Sequence, residues 1–485
     1  MKGLTRKLGR WIEDRTGLWS AFIRLARHPV PPKVGWAYVF GSATLTAFLL
    51  QVVTGITLAT AYTPSTGEAY QSLEFITDKA LLGNFLRGLH FFGASAMVVL
   101  IGIHMIRVFL HASYKYPREV SWISGVVLLG LTLAMGFTGQ LLRWDQNAVW
   151  SLVVGAEQAG RAPFIGKILA HFLLAGNVVG GATLTRFFAF HVFFLPALIF
   201  GFVGLHLYLV LHNGISEPPA EAGPVDPATY RARYEERLER EGKPFFPHAA
   251  WRDIAFGAGV ILVVGVLAAL AGPPPLGRPP DPTIIQADPR PDWYLLWYFA
   301  VLALLPHGTE KVLIVLLPLL AGVVLLAVPF LSNRGERRPS RRPWAVLSVV
   351  AILTMVGSLT ILGYQSPWSP DFSPEPLPDS VVSTLGPQAA TGAHLFRQRG
   401  CQNCHTVAGV GGRRGPELTL VADRLTRQQM VLRILNGGNN MPAFASILKP
   451  REVDALVAFL ETLRAPGTTD LPRDDPETGA SERAP

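Results

Sequence analysis

Seven long apolar runs leave this 485-residue chain few ways to fold. They lie at about 36–59, 88–110, 121–141, 187–211, 253–271, 311–331 and 344–363. A helix needs about 20 apolar residues to cross the hydrocarbon core of a bilayer. Inside lipid it can satisfy all of its own backbone hydrogen bonds. Only 16% of the residues are charged, and the mean hydropathy is +0.31. A soluble protein with buried helices would not repeat such runs so often. The fold class that follows is all-α: a polytopic transmembrane helix bundle with seven spans. The N-terminus is basic, but no short apolar core with a small-residue cleavage site follows it, so the first span itself would direct insertion.

Charge orients the bundle. The arm at 1–35 and the loops at 212–252 and 332–343 carry 8, 6 and 5 Lys and Arg. The alternate loops near 60–80, 141–186 and 272–311 carry 1, 4 and 3. The positive set marks the cytoplasmic side. The net charge of +9 is therefore a membrane signal, and no nucleic-acid partner is expected. Lipid binding by Arg-Gly-Glu-Arg-Arg-Pro-Ser-Arg-Arg (334–342) is a compatible reading. Seven spans from a cytoplasmic N-terminus put the C-terminus outside.

Four histidines sit in pairs inside two of the runs: His90 and His104, then His191 and His206. The intervals are 14 and 15 residues, or roughly 21–22 Å along a helix, with each pair on nearly one face. Imidazoles in lipid are costly unless used. Two such helices can complete two stacked bis-histidine haem sites, so two b haems are expected. Glycines repeat the interval on spans one and three: Gly41 with Gly55, and Gly125 with Gly139. A missing Cβ lets a flat macrocycle approach the backbone. Helix packing by small residues would explain any one of them equally well.

After about residue 364 the chain is Pro-rich (Ser-Pro-Trp-Ser-Pro-Asp-Phe-Ser-Pro) and then globular in composition, which reads as a linker and a small soluble domain. The only cysteines, Cys401 and Cys404, precede His405 in the C-x-x-C-H attachment motif of a covalent haem c. A zinc site would need more ligands than this domain offers. The sixth iron ligand should be a thioether or imidazole. Met441, 36 residues after His405 in a loop, is the candidate; Met430 lies in a helical pattern and His394 precedes the motif. Haem c is attached outside the cytoplasm, which agrees with the charge bias. The boundaries expected are a cytoplasmic amphipathic arm (1–35), a four-span dihaem part with its loop (36–250), a three-span part (251–365), a linker (366–385), a cytochrome c domain (386–465) and a disordered tail (466–485).

The segments Gln-Val-Val-Thr-Gly (51–55), RGLHFFGAS (87–95), HMIRV (104–108), PREVSWISG (117–125), WDQNAVW (144–150), TLTRFFAFHVFFLP (183–196), HNGISEPP (212–219) and PDWY (291–294) together resemble cytochrome b of the Rieske/cytochrome b complexes, over roughly residues 30–365. The tail resembles a class I cytochrome c. The 15-residue interval is closer to the chloroplast-type branch, although that branch splits the protein after span four. The resemblance implies a quinol-oxidising site on the outer face and a quinone-reducing site on the cytoplasmic face.

Several residue roles follow from that likeness. Arg87, Arg107 and Arg186 would be haem propionate partners; interfacial snorkelling is the alternative. PDWY resembles the family's P-E-W-Y, with Asp292 one methylene shorter as the proton acceptor and Tyr294 beside it. Gln140 and Arg143 stand where relatives commonly have Tyr and Pro, so the outer quinone pocket should differ in shape. On the cytoplasmic face Arg252 and Asp253 match a basic–acidic pair, and His212 is a further candidate. Val39 replaces the cysteine that tethers an extra haem in the chloroplast branch, which rules out a covalent extra haem and leaves a non-covalent one open.

The reading is a bacterial inner-membrane cytochrome b with a fused cytochrome c domain on the periplasmic side. The resemblance further implies a quinol and quinone partner, a separate Rieske iron–sulfur protein, a downstream acceptor such as a cytochrome c or terminal oxidase, and a homodimeric complex. Its rivals are a dihaem membrane anchor without bifurcation and a haem-based redox sensor. PDWY and the last three spans argue against the first. The second lacks a signalling domain after the haem.

Overall fold

In the computed structural model, residues 2–160, 162–176, 179–281, 290–304, 310–365, 375–411, 415–437, 441, 444–445 and 447–467 are described. Seven helices in them are long and apolar enough to span: Phe40–Ala59, Gly83–Leu110, Glu119–Leu141, Gly181–Asn213, Ala250–Leu270, Val312–Leu331 and Pro343–Gln365. All seven apolar runs are helical, with shifted ends. Span two begins five residues before the apolar run, because Arg87 is buried within the bundle. Residues 36–38 form a 3₁₀ turn ahead of span one. Hydroxyls inside span one bond back to carbonyls four residues earlier, Thr44 to Phe40 at 2.8 Å and Thr46 to Ser42 at 3.0 Å, so they cost the apolar helix little.

Spans one to five pack through notches. A Cβ at Gly93 of span two would lie 2.1 Å from Nε2 of Gln51 in span one. One at Gly88 would lie 3.0 Å from Ala268 in span five, and one at Gly257 would lie 2.8 Å from Thr46. Phe48, Met97 and Ile199, from spans one, two and four, form an apolar core with Ala43, Ala47 and Leu100. In sequence they fall midway between the paired glycines and histidines of their helices, so this layer separates an upper from a lower compartment.

Span four is not a uniform α-helix. Phe190–Phe194 forms a π-helical turn, and Pro196, which has no N–H to give, follows one residue beyond it. The loops add short helices that the apolar pattern alone did not reveal, Gln146–Gly160 and Gly166–Leu174 on one side and Tyr230–Glu241 on the other. Two two-residue antiparallel pairs are the strands among the described residues: Pro29–Val30 with Lys243–Pro244, and Thr406–Val407 with Val410–Gly411.

The arginine run at 334–342 is mostly a clasp, which corrects the lipid reading. Arg337 is 1% exposed and pairs with buried Glu217 at 3.2 Å. Glu217 also accepts from Tyr230 at 3.2 Å and faces Arg237 at 3.4 Å. Arg342 donates to the last carbonyls of span two, Phe109 at 3.0 Å and Leu110 at 3.2 Å. Of the run's arginines, Arg334 and Arg341 are exposed. The clasp ties the last two spans to the first four.

The C-terminal domain closes where Pro387–Gln398 crosses Pro450–Glu461. A Cβ at Gly392 would lie 1.9 Å from the Ala455 carbonyl oxygen, so only glycine allows this crossing. Phe396 and Phe459 pack beside it at 5.5 Å between ring centres. A third helix, Arg427–Asn436, starts with a reciprocal Thr426–Gln429 cap. Residues 366–374 of the linker and the tail beyond 467 lie outside the described residues.

Candidate redox centres

The four histidine rings form two layers, and each ring faces its own glycine. A Cβ at Gly41 would lie 3.1 Å from Cε1 of His104, and one at Gly55 would lie 3.1 Å from Cε1 of His90. At Gly125 the distance to His206 is 3.7 Å, and at Gly139 the distance to His191 is 2.6 Å. The ligand-free spans thus supply clearance for the rings of the ligand-bearing spans. His90 and His191 stand with ring centres 6.2 Å apart. A metal–imidazole bond of about 2 Å on each side, plus roughly 1 Å from nitrogen to ring centre, gives about 6 Å. The pair is spaced to share one iron. His104 and His206 face Gly41 and Gly125 in the other layer.

Hydroxyls orient three of the rings, a signal the sequence reading missed. Thr54 Oγ1 lies 2.9 Å from His90 Nδ1, Ser124 Oγ 2.8 Å from His206 Nδ1, and Thr138 Oγ1 3.1 Å from His191 Nδ1. Each hydroxyl spends its one proton on a carbonyl of its own helix, Leu50 at 2.7 Å, Ser121 at 2.9 Å and Ala134 at 2.9 Å. It can then only accept from the ring, so Nδ1 carries the proton and Nε2 keeps its lone pair for a metal. Every one of these hydroxyls immediately precedes its glycine. Phe40 precedes Gly41, so His104 has no such partner there.

The arginines differ. Arg107 lies over the Tyr38 ring at 3.6 Å, and its buried Nε and Nη2 have no hydrogen-bond partner. Buried guanidinium donors without acceptors suit a carboxylate-bearing ligand such as a haem propionate. Arg87 uses its Nη atoms on Thr77 Oγ1 at 3.1 Å and the Pro274 carbonyl at 2.7 Å. Arg186 donates to the Phe172 carbonyl and stacks on that ring at 5.4 Å.

Beside the His90–His191 layer stands the PDWY loop. Tyr294 donates to Asp292 Oδ2 at 2.8 Å. Its hydroxyl fills a notch at Gly136, one turn before Gly139, where a Cβ would lie 2.1 Å away. Burial raises the Asp292 carboxyl above the ordinary range, while the Tyr294 hydrogen bond and the Arg143 charge pull it back. Burial and the neighbouring carboxylate push the Tyr294 phenol upward. The end of span three and the segment after it fix this loop. Gln140 donates to the Arg290 carbonyl at 3.2 Å, and Asn147 accepts from the Arg290 N–H at 3.1 Å. Fully buried Asp145 accepts from the N–H groups of Ala148 at 2.9 Å and Gly277 at 3.0 Å and contacts Arg143.

Near the other layer, Asp253 is bonded to Ser42 at 2.8 Å, next to Gly41. Arg252 instead donates to the carbonyls of His248 at 3.0 Å and Val34 at 3.4 Å and stacks on Trp251. His212 stacks on Tyr208 on the exposed face of span four.

In the C-terminal domain, His405 Nδ1 donates to the Pro416 carbonyl at 2.7 Å, leaving Nε2 for a metal. A Cβ at Gly415 would lie 2.5 Å from that ring. Cys401 and Cys404 lie on the turn that leads into it. Met430 is buried in the core, 3% exposed, whereas Met441 lies at the core's margin with part of its surface open. Among the described residues no cluster of three or more His, Cys, Asp or Glu could hold a separate metal ion.

Known proteins agree with this geometry. Residues 25–214 match the family model Cytochrome b/b6/petB, and residues 279–373 match Cytochrome b(C-terminal)/b6/petD. The Menaquinol:cytochrome c reductase cytochrome b subunit of Bacillus subtilis is 38% identical over 224 residues, 44% of this chain and 100% of that protein. The chain belongs to the cytochrome b family. This cytochrome b carries an added domain, since residues 387–460 match the model Cytochrome C oxidase, cbb3-type, subunit III. The Cytochrome bc complex cytochrome b subunit of Chlorobaculum thiosulfatiphilum is 32% identical over 70% of this chain and 77% of that one. Cytochrome b/c1 of Bradyrhizobium diazoefficiens is 31% identical over 72% of this chain and 50% of that one. The solved structure titled Hyperthermophilic respiratory Complex III superposes with a TM-score of 0.62 at 26% identity, covering 81% of this chain and 95% of that one. The protein is thus a multipass membrane cytochrome whose two parts imply haem b and haem c.

Proposed function

We propose that this cytochrome b is the core electron-transfer subunit of a quinol:cytochrome c oxidoreductase. The observation that carries the reading is the acid–phenol pair Asp292–Tyr294 seated one helical turn from the glycine that faces His191. A proton acceptor beside one ligand layer of a two-layer bundle suits quinol oxidation at one face and charge movement to the other. His90 with His191 and His104 with His206 would hold two b haems, and Cys401, Cys404, His405 and Met441 one haem c. When bound, these groups carry single electrons.

Asp292 takes a proton from the quinol hydroxyl, and Tyr294 holds the carboxylate oriented for it. A positioned base contributes about 10²–10⁴-fold. One electron leaves to a Rieske iron–sulfur partner and from there to the fused c domain and an outside acceptor, such as a cytochrome c or terminal oxidase. The other crosses toward the Arg252–Asp253 side, where a quinone is reduced with protons from the cytoplasm. The N-terminus lies in the cytoplasm of a bacterium, and the c domain lies outside; the working unit is a homodimeric complex.

A pyridine haemochrome assay on the purified complex tests the ligand sets. Two b haems to one c haem per chain are expected. A b:c ratio near one would sink the two-layer assignment. Reporter fusions after residue 365 should be active only as periplasmic-type reporters, and cytoplasmic activity would overturn the orientation.

A further inference from the structure

The inner end of the bundle holds buried polar atoms that nothing in the protein satisfies. Nε and Nη2 of Arg107 and Nδ1 of His111 lack hydrogen-bond partners. They belong to one cluster. The Arg107 guanidinium lies 3.6 Å over the Tyr38 ring, and the Tyr38 and His111 rings are 6.1 Å apart. Arg107 Nη1 reaches Ser113 at 3.5 Å, which is bonded to Ser216 at 2.7 Å. Such orphaned atoms are rare in folded proteins, and a group of them marks a place for a ligand. Donors dominate here, so the ligand is anionic. Arg107 lies three residues past His104 and His111 one turn further, so carboxylates of the inner haem fit this place.

We infer that His111 is a redox-linked proton acceptor, taking up one cytoplasmic proton when one electron reaches the inner b haem and releasing it when that electron leaves. The inference rests on the two-haem reading above. Charge balances: the electron comes from the outer haem, the proton from water, and an imidazolium forms on His111. His111 is half-buried just past the last turn of span two, so it faces both the pocket and the inner surface.

The groups around His111 set the direction of this coupling. Burial, and after it the charges of Arg107 on its own helix and Arg337 from the clasp, hold the imidazole down at about 4. Tyr38, from the turn before span one, faces it with a neutral phenol. Alone, His111 is therefore neutral at physiological pH. Carboxylates on Arg107 cancel that repulsion, and one more negative charge on the haem favours the imidazolium further. Reduction thus pulls a proton in.

The test is an optical redox titration of both b haems in the purified full complex, repeated from acid to alkaline pH. In the wild type the inner-haem midpoint should fall with rising pH, approaching about 59 mV per unit within a window, the value for one proton per electron. His111→Gln keeps a hydrogen-bonding side chain that cannot titrate. It should flatten the slope for the inner haem and leave the outer haem unchanged; His111→Asn is the second variant. An unchanged inner slope in either variant with both haems present would overturn the assignment, as would a flat wild-type slope. A single b haem per chain would instead overturn the two-haem reading beneath it.

Discussion

Adding one methyl group at each of the four ring-facing glycines should give a graded loss of b haem. The added Cβ would meet His191 at 2.6 Å from Gly139, His104 at 3.1 Å from Gly41, His90 at 3.1 Å from Gly55 and His206 at 3.7 Å from Gly125. Carbon atoms pack best at about 3.5–4.0 Å. Gly139→Ala is therefore short by about 1 Å, the middle pair by about half that, and Gly125→Ala by nothing. Overpacking of this kind costs about 1–3 kcal/mol, and the helix regains about 0.5–1 kcal/mol when alanine replaces glycine. Taking the top of that range for Gly139→Ala leaves about 2 kcal/mol, or roughly 30-fold weaker retention of the outer b haem. Gly125→Ala should hold its inner haem as well as the wild type. Reduced-minus-oxidised spectra during a detergent titration, with the two b haems separated by potential, read the order directly. Equal losses at Gly125 and Gly139 would refute ring clearance as the reason for these glycines.

Asp292→Asn should slow quinol-driven reduction of the b haems by about 10²–10⁴-fold with their spectra intact; unchanged turnover would mean the proton leaves by another route. A base must be ionised, and burial raises Asp292, so the wild-type rate should fall with decreasing pH before the ordinary carboxylate range is reached. Arg143→Gln removes a charge that holds the carboxyl down and should move that limb of the pH–rate profile to higher pH. Met441→His should keep the covalent haem c and lower its reduction potential; a retained weak sulfur-to-iron band in the oxidised spectrum would assign the ligand to Met430 instead. Deleting Phe193, which is 65% exposed inside the π-helical turn, should leave an unbroken α-helix with both b haems in place. Loss of the inner haem would show that the turn does not compensate the interval.

How much of this was legible in the sequence depends on how local each signal is. Runs of apolar residues, a C-x-x-C-H motif and intervals of 14 residues are one-dimensional, and each leads to the element or layer it suggests. The hydroxyls were missed because Thr54, Ser124 and Thr138 look like ordinary helix residues until the opposite ring is in place. A hydroxyl directly before each spaced glycine is the signal that could have found them. The arginine run was misread for a different reason. Charge counts cannot tell an exposed Arg341 from an Arg337 that is 1% exposed, because burial depends on Glu217, 120 positions away. Positive loops on one side of a membrane protein can orient it and also lock its spans together.

The unequal histidine intervals show where spacing alone falls short and how the backbone makes up the difference. An α-helix turns about 100° per residue, so a 15-residue interval places its second ring about 100° away from where a 14-residue interval would. In plain α-helices the second ring would be offset by about 40° one way for 14 residues and about 60° the other way for 15. Span two is unbroken α-helix from Gly83 to Leu110. Span four carries a π-helical turn at Phe190–Phe194, and His191 lies inside it. A π turn closes its hydrogen bonds one residue later than an α turn, so it absorbs one extra residue. From His191 to His206 the helix then behaves as if the interval were 14. Both rings can face the glycines of span three, His191 at Gly139 and His206 at Gly125, which are themselves 14 apart on an unbroken helix. The extra residue therefore changes the backbone of one turn and leaves the two-layer arrangement intact.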